Sequence, residues 1–249
     1  MSKFRKAETG MTLAEHLAEV RHRFLICTVT ILLFGVVSFI FYPHILDFLQ
    51  NPYCDARRRV HGHFVGHCTF LVTAPLDGLN LRIKIGFFGG LLASSPVLFW
   101  QAWRFVTPGL KERERKYIIP FVSCSLVFFF AGMAVAYFSF GHAIQFLESI
   151  GGNSLLTEYN PNQYLTLLLL MLFIFGVTFE FPVVLVALQM VNMVTPKQLL
   201  HFWRYALIGI TIVSAVFTPS GDPLSMLALA LPLTFFYFIA IGVGKLLKK

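Results

Sequence analysis

Charged residues are scarce in this sequence, and their scarcity decides the class of protein. Only 13% of the 249 residues are Asp, Glu, Lys or Arg, whereas soluble domains carry about a quarter. Hydrophobic residues make up 57% of the chain, 28 residues are Phe, and the mean hydropathy is +0.72. A water-soluble domain of this length cannot bury so much apolar surface. The sequence therefore predicts an integral membrane protein.

Motifs for catalysis and phosphate binding are missing as well. The sequence has no Gly-rich phosphate loop and no Ser/His/Asp arrangement. His16, His22 and Glu19 are potential metal ligands, but no paired ligand motif occurs elsewhere in the chain. No internal repeat is evident, which disfavours a transporter built from inverted repeats. The sequence therefore predicts neither an enzyme nor a bound cofactor.

Acidic residues are fewer than basic ones, but the excess of positive charge does not indicate nucleic-acid binding. The chain has 20 Lys and Arg against 12 Asp and Glu, which gives a formal net charge of +8. The basic residues lie between long apolar runs and form no continuous basic face. This placement is typical of the flanks of membrane spans.

Six apolar segments account for most of the chain. A helix crosses the ~30 Å hydrocarbon core of a bilayer with ~20 apolar residues, and only the fifth segment is clearly shorter than that. Lipid offers no partner for backbone N–H and C=O groups, so each span must be helical. The prediction is a single all-α transmembrane domain, residues 1–249, with spans at about 24–42, 80–103, 117–141, 164–194, 203–217 and 224–244.

The distribution of Lys and Arg predicts the orientation of these spans. If the N-terminus is cytoplasmic and six helices alternate, 15 of the 20 basic residues lie on the inner side and both termini are cytoplasmic. The positive-inside rule strongly favours this arrangement. Five basic residues then remain on the outer side, namely Arg57, Arg58, Arg59, Arg82 and Lys84.

The four cysteines fit this orientation. Cys27 and Cys124 lie inside apolar runs, where we expect them to pack against neighbouring helices. Cys54 and Cys68 lie in the first outer loop, on the oxidising side of the membrane. A disulfide between them would close a loop of about 15 residues and add roughly 3 kcal/mol of stability. A zinc site is the alternative, because three histidines lie between these cysteines, at His61, His63 and His67.

Prolines are expected to interrupt helices at three places. Asn51-Pro52 and Ala74-Pro75 are expected to break helices at the edges of the first outer loop. Pro182 lies inside the fourth apolar segment, where we expect it to free a backbone carbonyl and kink the helix.

An amphipathic helix is predicted just before the first span. Thr12 and Glu15 form a capping-box pattern, which gives Glu15 a local structural role. Glu19 has no capping role. The pattern alone favours an ion pair with Arg23 one turn later, worth a few tenths of a kcal/mol, over a ligand-binding role. The apolar stripe of this helix consists of Leu13, Leu17, Val20 and Phe24.

The first inner loop contains a second group of acids. Pro108-Gly109 predicts a turn, which is followed by the alternating charges of residues 111–116. Alternating charge in a short loop is typical of a solvated surface. Glu112 and Glu114 therefore do not indicate a binding site on their own.

Glu180 is the one acid inside an apolar segment. A charged group near the bilayer centre costs roughly 2.5–3.5 kcal/mol on insertion scales. Such a residue normally faces a cavity or has a partner, and no basic residue of the chain is predicted to reach this depth. The partner is therefore water or a polar group on another protein, and a role as a proton-relay acid is the alternative.

Several sequence runs resemble the TatC family, the six-helix subunit of the twin-arginine protein translocase. The resemblance extends from about residue 11 to residue 244, in the order and topology of that family. The outer-loop run Asn51-Pro52-Tyr53-Cys54 resembles actinobacterial members. The runs that carry the family resemblance are His16–Arg23, Ser95–Leu110, Arg113–Arg115, Gly176–Pro182 and Thr218–Pro223.

The resemblance implies a receptor in the bacterial plasma (inner) membrane. It implies that folded precursors with two adjacent arginines in their signal peptide bind at the cytoplasmic face, with energy from the proton gradient. Guanidinium groups favour carboxylates because the two form paired hydrogen bonds. The residues that match the signal-contacting positions of the family are Glu19, Glu114, Arg21, Arg23, Phe105 and Leu110.

The resemblance also implies partner proteins. Glu180 matches an intramembrane acid of the family that meets the single-span subunits TatA and TatB, and Thr218 and Asp222 are assigned to the same docking side. We expect several copies of the chain in a larger complex. The chain departs from the family pattern in its last helix, where Tyr237-Phe238 and Met226 replace a glutamate and a glutamine of relatives. A proton-coupled small-molecule transporter is the alternative that would also explain Glu180.

Overall fold

A computed structural model describes residues 13–61, 75–106, 118–151, 160–218 and 221–246. Within these ranges the chain forms ten α-helices and no β-strand. The helices are α1 (Leu13–Ile40), α2 (Tyr42–His61), α3 (Asp77–Ala93), α4 (Ser95–Val106), α5 (Ile118–Gly151), α6 (Pro161–Thr178), α7 (Phe181–Met190), α8 (Pro196–His201), α9 (Trp203–Phe217) and α10 (Pro223–Leu246).

The helices confirm the predicted all-α membrane fold. Four apolar stretches are long enough to cross a bilayer: Leu17–Ile40 in α1, Ile118–Phe146 in α5, Pro161–Met190 across α6 and α7, and Pro223–Leu246 in α10. The bent pair of α3 and α4, counted as one span, brings the number to five and lies at the predicted second span. The shorter apolar helix α9 lies at the predicted fifth span. The amphipathic segment before the first span is continuous with it, since both belong to α1.

The second span is bent, whereas a single helix was expected over residues 80–103. The axes of α3 and α4 differ by 48°. Pro96 lies just after the bend and has no N–H to donate to the carbonyl of Leu92. At the bend itself, the hydroxyl of Ser94 donates to the carbonyl oxygen of Leu91 at 3.0 Å. As a result, α4 contacts both α1 and α5.

The fourth span is interrupted at the predicted proline. Helix α6 ends at Thr178 and α7 begins at Phe181, so Phe179 and Glu180 form a turn between the two helices. Pro182 follows as the second residue of α7 and has no N–H for the carbonyl of Thr178. The interruption places Glu180 at the junction of the two helices.

The prediction that Pro52 ends a helix is wrong, because α2 continues through it. A proline inside a helix leaves the carbonyl four residues earlier without its usual donor. Here that carbonyl belongs to Phe48, and the hydroxyl of Tyr137 donates to it at 2.9 Å. The hydroxyl of Tyr164 donates to the next carbonyl, that of Leu49, at 3.0 Å. Two tyrosines of α5 and α6 therefore stabilise α2 where the proline weakens it.

The core of the bundle lies along α6. Its buried side chains pack against α5 and α3, and buried residues of α10 belong to the same cluster. Large apolar side chains on the outer faces of α1, α9 and α10 stay exposed, as expected for surfaces that meet lipid. The fully buried large residues of this core include Phe140, Leu165, Leu168, Met171, Phe175, Leu229 and Leu233.

Glycines allow α1 and α3 to pack with their backbones in contact. A Cβ atom on Gly90 would lie 2.6 Å from the Cα of Gly35 and 2.7 Å from the carbonyl oxygen of Ile31. A Cβ on Gly86 would lie 3.4 Å from the carbonyl oxygen of Gly35. Close approach of this kind is a common basis of helix association in membranes, where the hydrophobic effect contributes little.

We expect the variant Gly90→Ala to be less stable than the wild type. The new methyl group would overlap the backbone of α1, and such overpacking costs about 1–3 kcal/mol. Gly78→Ala is the matched control, because Gly78 lies on the same helix and a Cβ there meets no atom within 4 Å. Thermal unfolding of the purified protein in detergent measures both, and equal midpoints for the two variants would contradict the packing argument.

The cysteines are only partly as predicted. Cys54 is buried and disulfide-bonded, but Cys68 lies outside the described residues, so their pairing stays a prediction. Cys27 and Cys124 are free thiols, and Cys27 is half-buried as expected for a packing residue. Cys124 is exposed, so the prediction that it packs against neighbouring helices is wrong. It lies on the face of α5 that borders an apolar groove shared with α7 and α10.

Mass spectrometry of the non-reduced protein should show a peptide pair joined through Cys54 and Cys68. The physical reason is that an outer loop lies in an oxidising compartment, where a disulfide of this length is stable. Cys27 and Cys124 should react with a thiol reagent after unfolding without reduction. Free thiols at positions 54 and 68, or one bound zinc ion per chain, would refute the pairing.

Candidate functional site

Glu19 and Arg23 form an ion pair on the surface of α1. The Nε of Arg23 donates to the Oε1 of Glu19 at 3.1 Å, and Nη2 of the same guanidinium contacts the same oxygen. Both side chains are half-buried. This is the pair between successive turns that the sequence pattern favours. It means that the carboxylate of Glu19 already holds a guanidinium.

Arg23 also connects α1 to α4 through Gln101. Its Nη1 donates to the side-chain oxygen of Gln101 at 3.3 Å and lies 3.5 Å from the backbone oxygen of the same residue. Sequence reasoning did not assign a role to Gln101. The feature of the sequence that could have indicated a role is that Gln101 is the single amide side chain in a helix of mainly apolar and aromatic residues. A carboxylate, a guanidinium and an amide therefore meet where α1 crosses α4.

The remaining predicted signal-contacting residues are only partly described. Phe105 lies one turn after Gln101 on α4 and is exposed, so it extends the face that carries Gln101 with an apolar surface. Arg21 is exposed on α1. Leu110 and Glu114 lie outside the described residues, and the proximity of Glu19 to Glu114 stays a prediction.

A large cavity opens between α4, α5 and α7. Its volume is about 520 Å³, and its walls are formed mainly by apolar side chains such as Phe99, Phe121, Val184 and Leu188. Glu180 is the one charged residue among those that line it. The expectation that Glu180 faces a cavity is therefore confirmed. On the predicted orientation the cavity occupies the cytoplasmic half of the bundle.

Glu180 has polar neighbours that sequence reasoning missed. The hydroxyl of Ser125 interacts with its carboxyl group, and the same hydroxyl oxygen accepts from Nε1 of Trp103 at 2.9 Å. The Oε1 of Glu180 is buried and has no hydrogen-bond partner within the described part of the chain. Thr178, the polar neighbour in sequence, donates instead to the carbonyl of Ile174 in its own helix. An acceptor is therefore left available to an incoming donor.

Helix α4 belongs to both parts of the site. Gln101 carries the connection to α1, and Phe105 lies one turn after it. Phe99 and Trp103, on the other side of the same helix, line the cavity of Glu180. A change in the position of α4 would therefore act on both parts at once.

Thr218 and Asp222 lie in the turn between α9 and α10, and their side chains are buried by their own chain. Asp222 accepts from the backbone N–H of Ser225 at 2.6 Å, which caps the first turn of α10. Thr218 donates to the carbonyl of Ser214 at the end of α9. The structure thus gives both residues a role in the shape of the turn, and a docking role for them stays a prediction.

The departures in the last helix are clear in the structure. Tyr237 is buried, and its hydroxyl donates to the carbonyl of Leu199 at 2.7 Å. Phe238 is 42% exposed and Met226 is half-buried. Of the two residues at this expected departure from the family pattern, Phe238 is therefore the more exposed.

Fold and site together define a polytopic helical membrane protein with two polar groups in the half of the bundle that the predicted orientation assigns to the cytoplasm. The first is the group of Glu19, Arg23 and Gln101, and the second is Glu180 in its cavity. Within the described residues there is no group of three His, Cys, Asp or Glu side chains arranged to hold a metal ion.

The chain belongs to the TatC family. A sequence model of this family, the Sec-independent protein translocase protein (TatC), matches residues 15–232. The TatC protein of Frankia casuarinae, an actinobacterial relative, is 38% identical over 241 residues that cover 95% of this chain. The match spans 66% of the length of that relative. The TatC protein of Aquifex aeolicus is 32% identical, with 96% of this chain and 97% of the relative covered.

Solved structures agree with the sequence comparison. A crystal structure of the twin-arginine translocase receptor TatC covers 94% of this chain and 100% of its own length, with a TM-score of 0.76 at 30% identity. A second structure of that receptor, in the detergent DDM, gives a TM-score of 0.75 and covers 92% of this chain. The family resemblance of the sequence motifs is confirmed. The family is one of translocase proteins rather than enzymes, and the small-molecule transporter alternative is not supported.

Proposed function

We propose that this chain is the core and signal-receptor subunit of a twin-arginine translocase. It binds twin-arginine signal peptides at the cytoplasmic face of the bacterial plasma membrane and recruits the single-span subunits TatA and TatB for export driven by the proton gradient. The observation that carries the proposal is the guanidinium of Arg23 on the carboxylate of Glu19, bridged to Gln101 of α4. Within the chain, the carboxylate of Glu19 thus already binds a guanidinium, the group that each arginine of a twin-arginine signal peptide would present to it.

An arginine of the signal peptide would exchange with Arg23 on Glu19. The resting pair is partly buried, with 15% and 26% of its two side chains exposed, so it is screened less than exposed pairs of this spacing, which are worth about 0.3–0.5 kcal/mol. The exchange replaces it with the same kind of guanidinium–carboxylate contact. Gln101 provides Arg23 with a second acceptor once the carboxylate is occupied. Glu114 supplies the carboxylate for the second arginine, and Arg21, Phe105 and Leu110 border the site.

The docking part of the proposal depends on Glu180. Its Oε1 is buried beside the cavity without a partner in the described chain, and a buried polar atom is stabilised by any donor that reaches it. The polar side chains found near it, Ser125 and Trp103, do not exchange protons near neutral pH. A chain of exchangeable groups, which a proton relay needs, is not found around Glu180 in the described residues. A polar side chain on the transmembrane helix of a partner fits this cavity better.

The variants Glu19→Gln and Glu114→Gln should each weaken binding of a twin-arginine precursor. Loss of one charge-assisted contact costs ~1.5–3 kcal/mol, which corresponds to a roughly 10- to 150-fold weaker affinity. Binding of a labelled precursor to the purified protein in detergent is the measurement. Glu112→Gln, in the same loop as Glu114, is the matched control and should bind as the wild type does. A precursor with two lysines should bind weakly to all four proteins.

Membrane insertion and yield should be the same for these variants, because Glu19 is not part of the buried core and Glu114 is predicted to lie in the first inner loop. Unchanged precursor affinity in the double variant Glu19→Gln/Glu114→Gln would contradict the proposed receptor site. A similar loss of affinity with Glu112→Gln would indicate a general effect of loop charge rather than two specific contacts.

Glu180→Gln should retain most transport and most crosslinking to partner helices, whereas Glu180→Ala should lose much of both. The amide keeps the shape and the hydrogen-bonding capacity of the side chain but cannot carry a proton, and the methyl group keeps neither. Transport of a reporter precursor in cells and site-specific crosslinking measure the two effects. Thr178→Val is the control, because that hydroxyl bonds its own helix. Equal loss of transport with Gln and Ala, with crosslinking intact, would favour a proton carrier.

A further inference from the structure

A second pocket lies between α3 and α6, on the side of the bundle that the predicted orientation assigns to the outer leaflet. Its volume is about 320 Å³. The residues at its outer end are polar and those at its inner end are apolar, in the order Asn162, Gln163, Thr166, Leu167 and Leu170 along α6, with Lys84 opposite on α3. A pocket that changes from polar to apolar along the membrane normal matches the headgroup and upper acyl region of a phospholipid.

Lys84 is the charged residue of this pocket. It lies seven residues after Asp77, the first residue of α3, which corresponds to about 10 Å along the helix axis. Its side chain is half-buried. Its Nζ donates to the hydroxyl of Thr166 at 2.8 Å. An ammonium group has three donors and no acceptor, so two of its protons remain for other groups.

No carboxylate of the described residues lies within ion-pair distance of Lys84. The acid at the start of α3, Asp77, is engaged by the side-chain amide of Asn162 at 2.6 Å. A lysine at this depth is costly unless it reaches the interface or meets a negative group. Among the described residues, Lys84 therefore has no counter-charge.

We propose that this pocket binds an anionic phospholipid of the outer leaflet. The lipid phosphate contacts Nζ of Lys84, the exposed amide of Gln163 donates to the same headgroup, and an acyl chain lies against Leu167 and Leu170. A phosphate group satisfies both free protons of the ammonium and supplies the missing charge. The leucines are the reason to assign a lipid rather than a free phosphate ion, which would use only the polar end.

Arg82 is the matched control for Lys84. It lies two residues earlier on α3, carries the same charge on the same side of the membrane, and its guanidinium stacks on the ring of Tyr42 at 5.0 Å. It does not line the pocket. A general attraction between outer-side cations and anionic lipid would depend on both residues, whereas a specific site depends on Lys84.

The experiment uses the full chain, purified in detergent and depleted of lipid. Native mass spectrometry counts bound phosphatidylglycerol, and thermal unfolding is followed with phosphatidylglycerol, with diacylglycerol and with inorganic phosphate. The wild type and Arg82→Gln should retain lipid and unfold at a higher temperature with phosphatidylglycerol. Lys84→Gln should bind it at least tenfold more weakly. Diacylglycerol and inorganic phosphate should give no comparable shift.

Equal lipid retention by Lys84→Gln and the wild type would overturn the proposal, as would an equal loss in Arg82→Gln. An equal shift with inorganic phosphate would replace the lipid site with a simple anion site. If Lys84→Gln does not fold, Lys84→Arg and Leu170→Trp decide: the arginine should keep the lipid, and the tryptophan, which fills the apolar end, should lose it at least tenfold. Equal retention by these two variants would also overturn the proposal.

Discussion

The need to satisfy every backbone polar group inside a bilayer is the constraint on which the rest of this structure depends. Lipid offers no hydrogen bonds, so a helix in it can be interrupted only where the protein supplies a substitute. Two of the interruptions described here have such a substitute. At the bend of the second span, Ser94 bonds a carbonyl of α3. Where Pro52 lacks a donor, Tyr137 bonds the carbonyl of Phe48.

Two of these interruptions shape the candidate site. The bend between α3 and α4 brings α4 against α1 and α5, so that Gln101 reaches Arg23 on one side and Trp103 reaches Ser125 on the other. The turn between α6 and α7 carries Glu180 into the cavity. Six uninterrupted helices could have the same hydropathy as this chain. They would lack the bend that lets Gln101 and Trp103 make these contacts and the turn that contains Glu180.

The sequence was sufficient for features that depend on composition along one helix. The spans, the interruption at Pro182 and the cavity at Glu180 all follow from apolar length, a missing N–H and the cost of a buried charge. It was insufficient where contacts cross between helices. Nothing near Pro52 in sequence indicates that Tyr137 stabilises the helix there, and nothing near Glu180 indicates Ser125. The bend at Ser94 was missed because the apolar run continues through it without a change in hydropathy.

The pairing of Glu19 with Arg23 has a consequence for selectivity. A bare carboxylate near an anionic membrane surface would attract every soluble cation and every lysine-rich segment that approaches it. Because the carboxylate is already neutralised within its own helix, a competitor must outperform an intramolecular partner that is always present at high effective concentration. On the proposed function, a ligand with a single positive charge gains little, whereas two adjacent guanidinium groups that engage two carboxylates gain enough to displace it. Arg23 is thus a built-in competitor that sets the threshold for recognition.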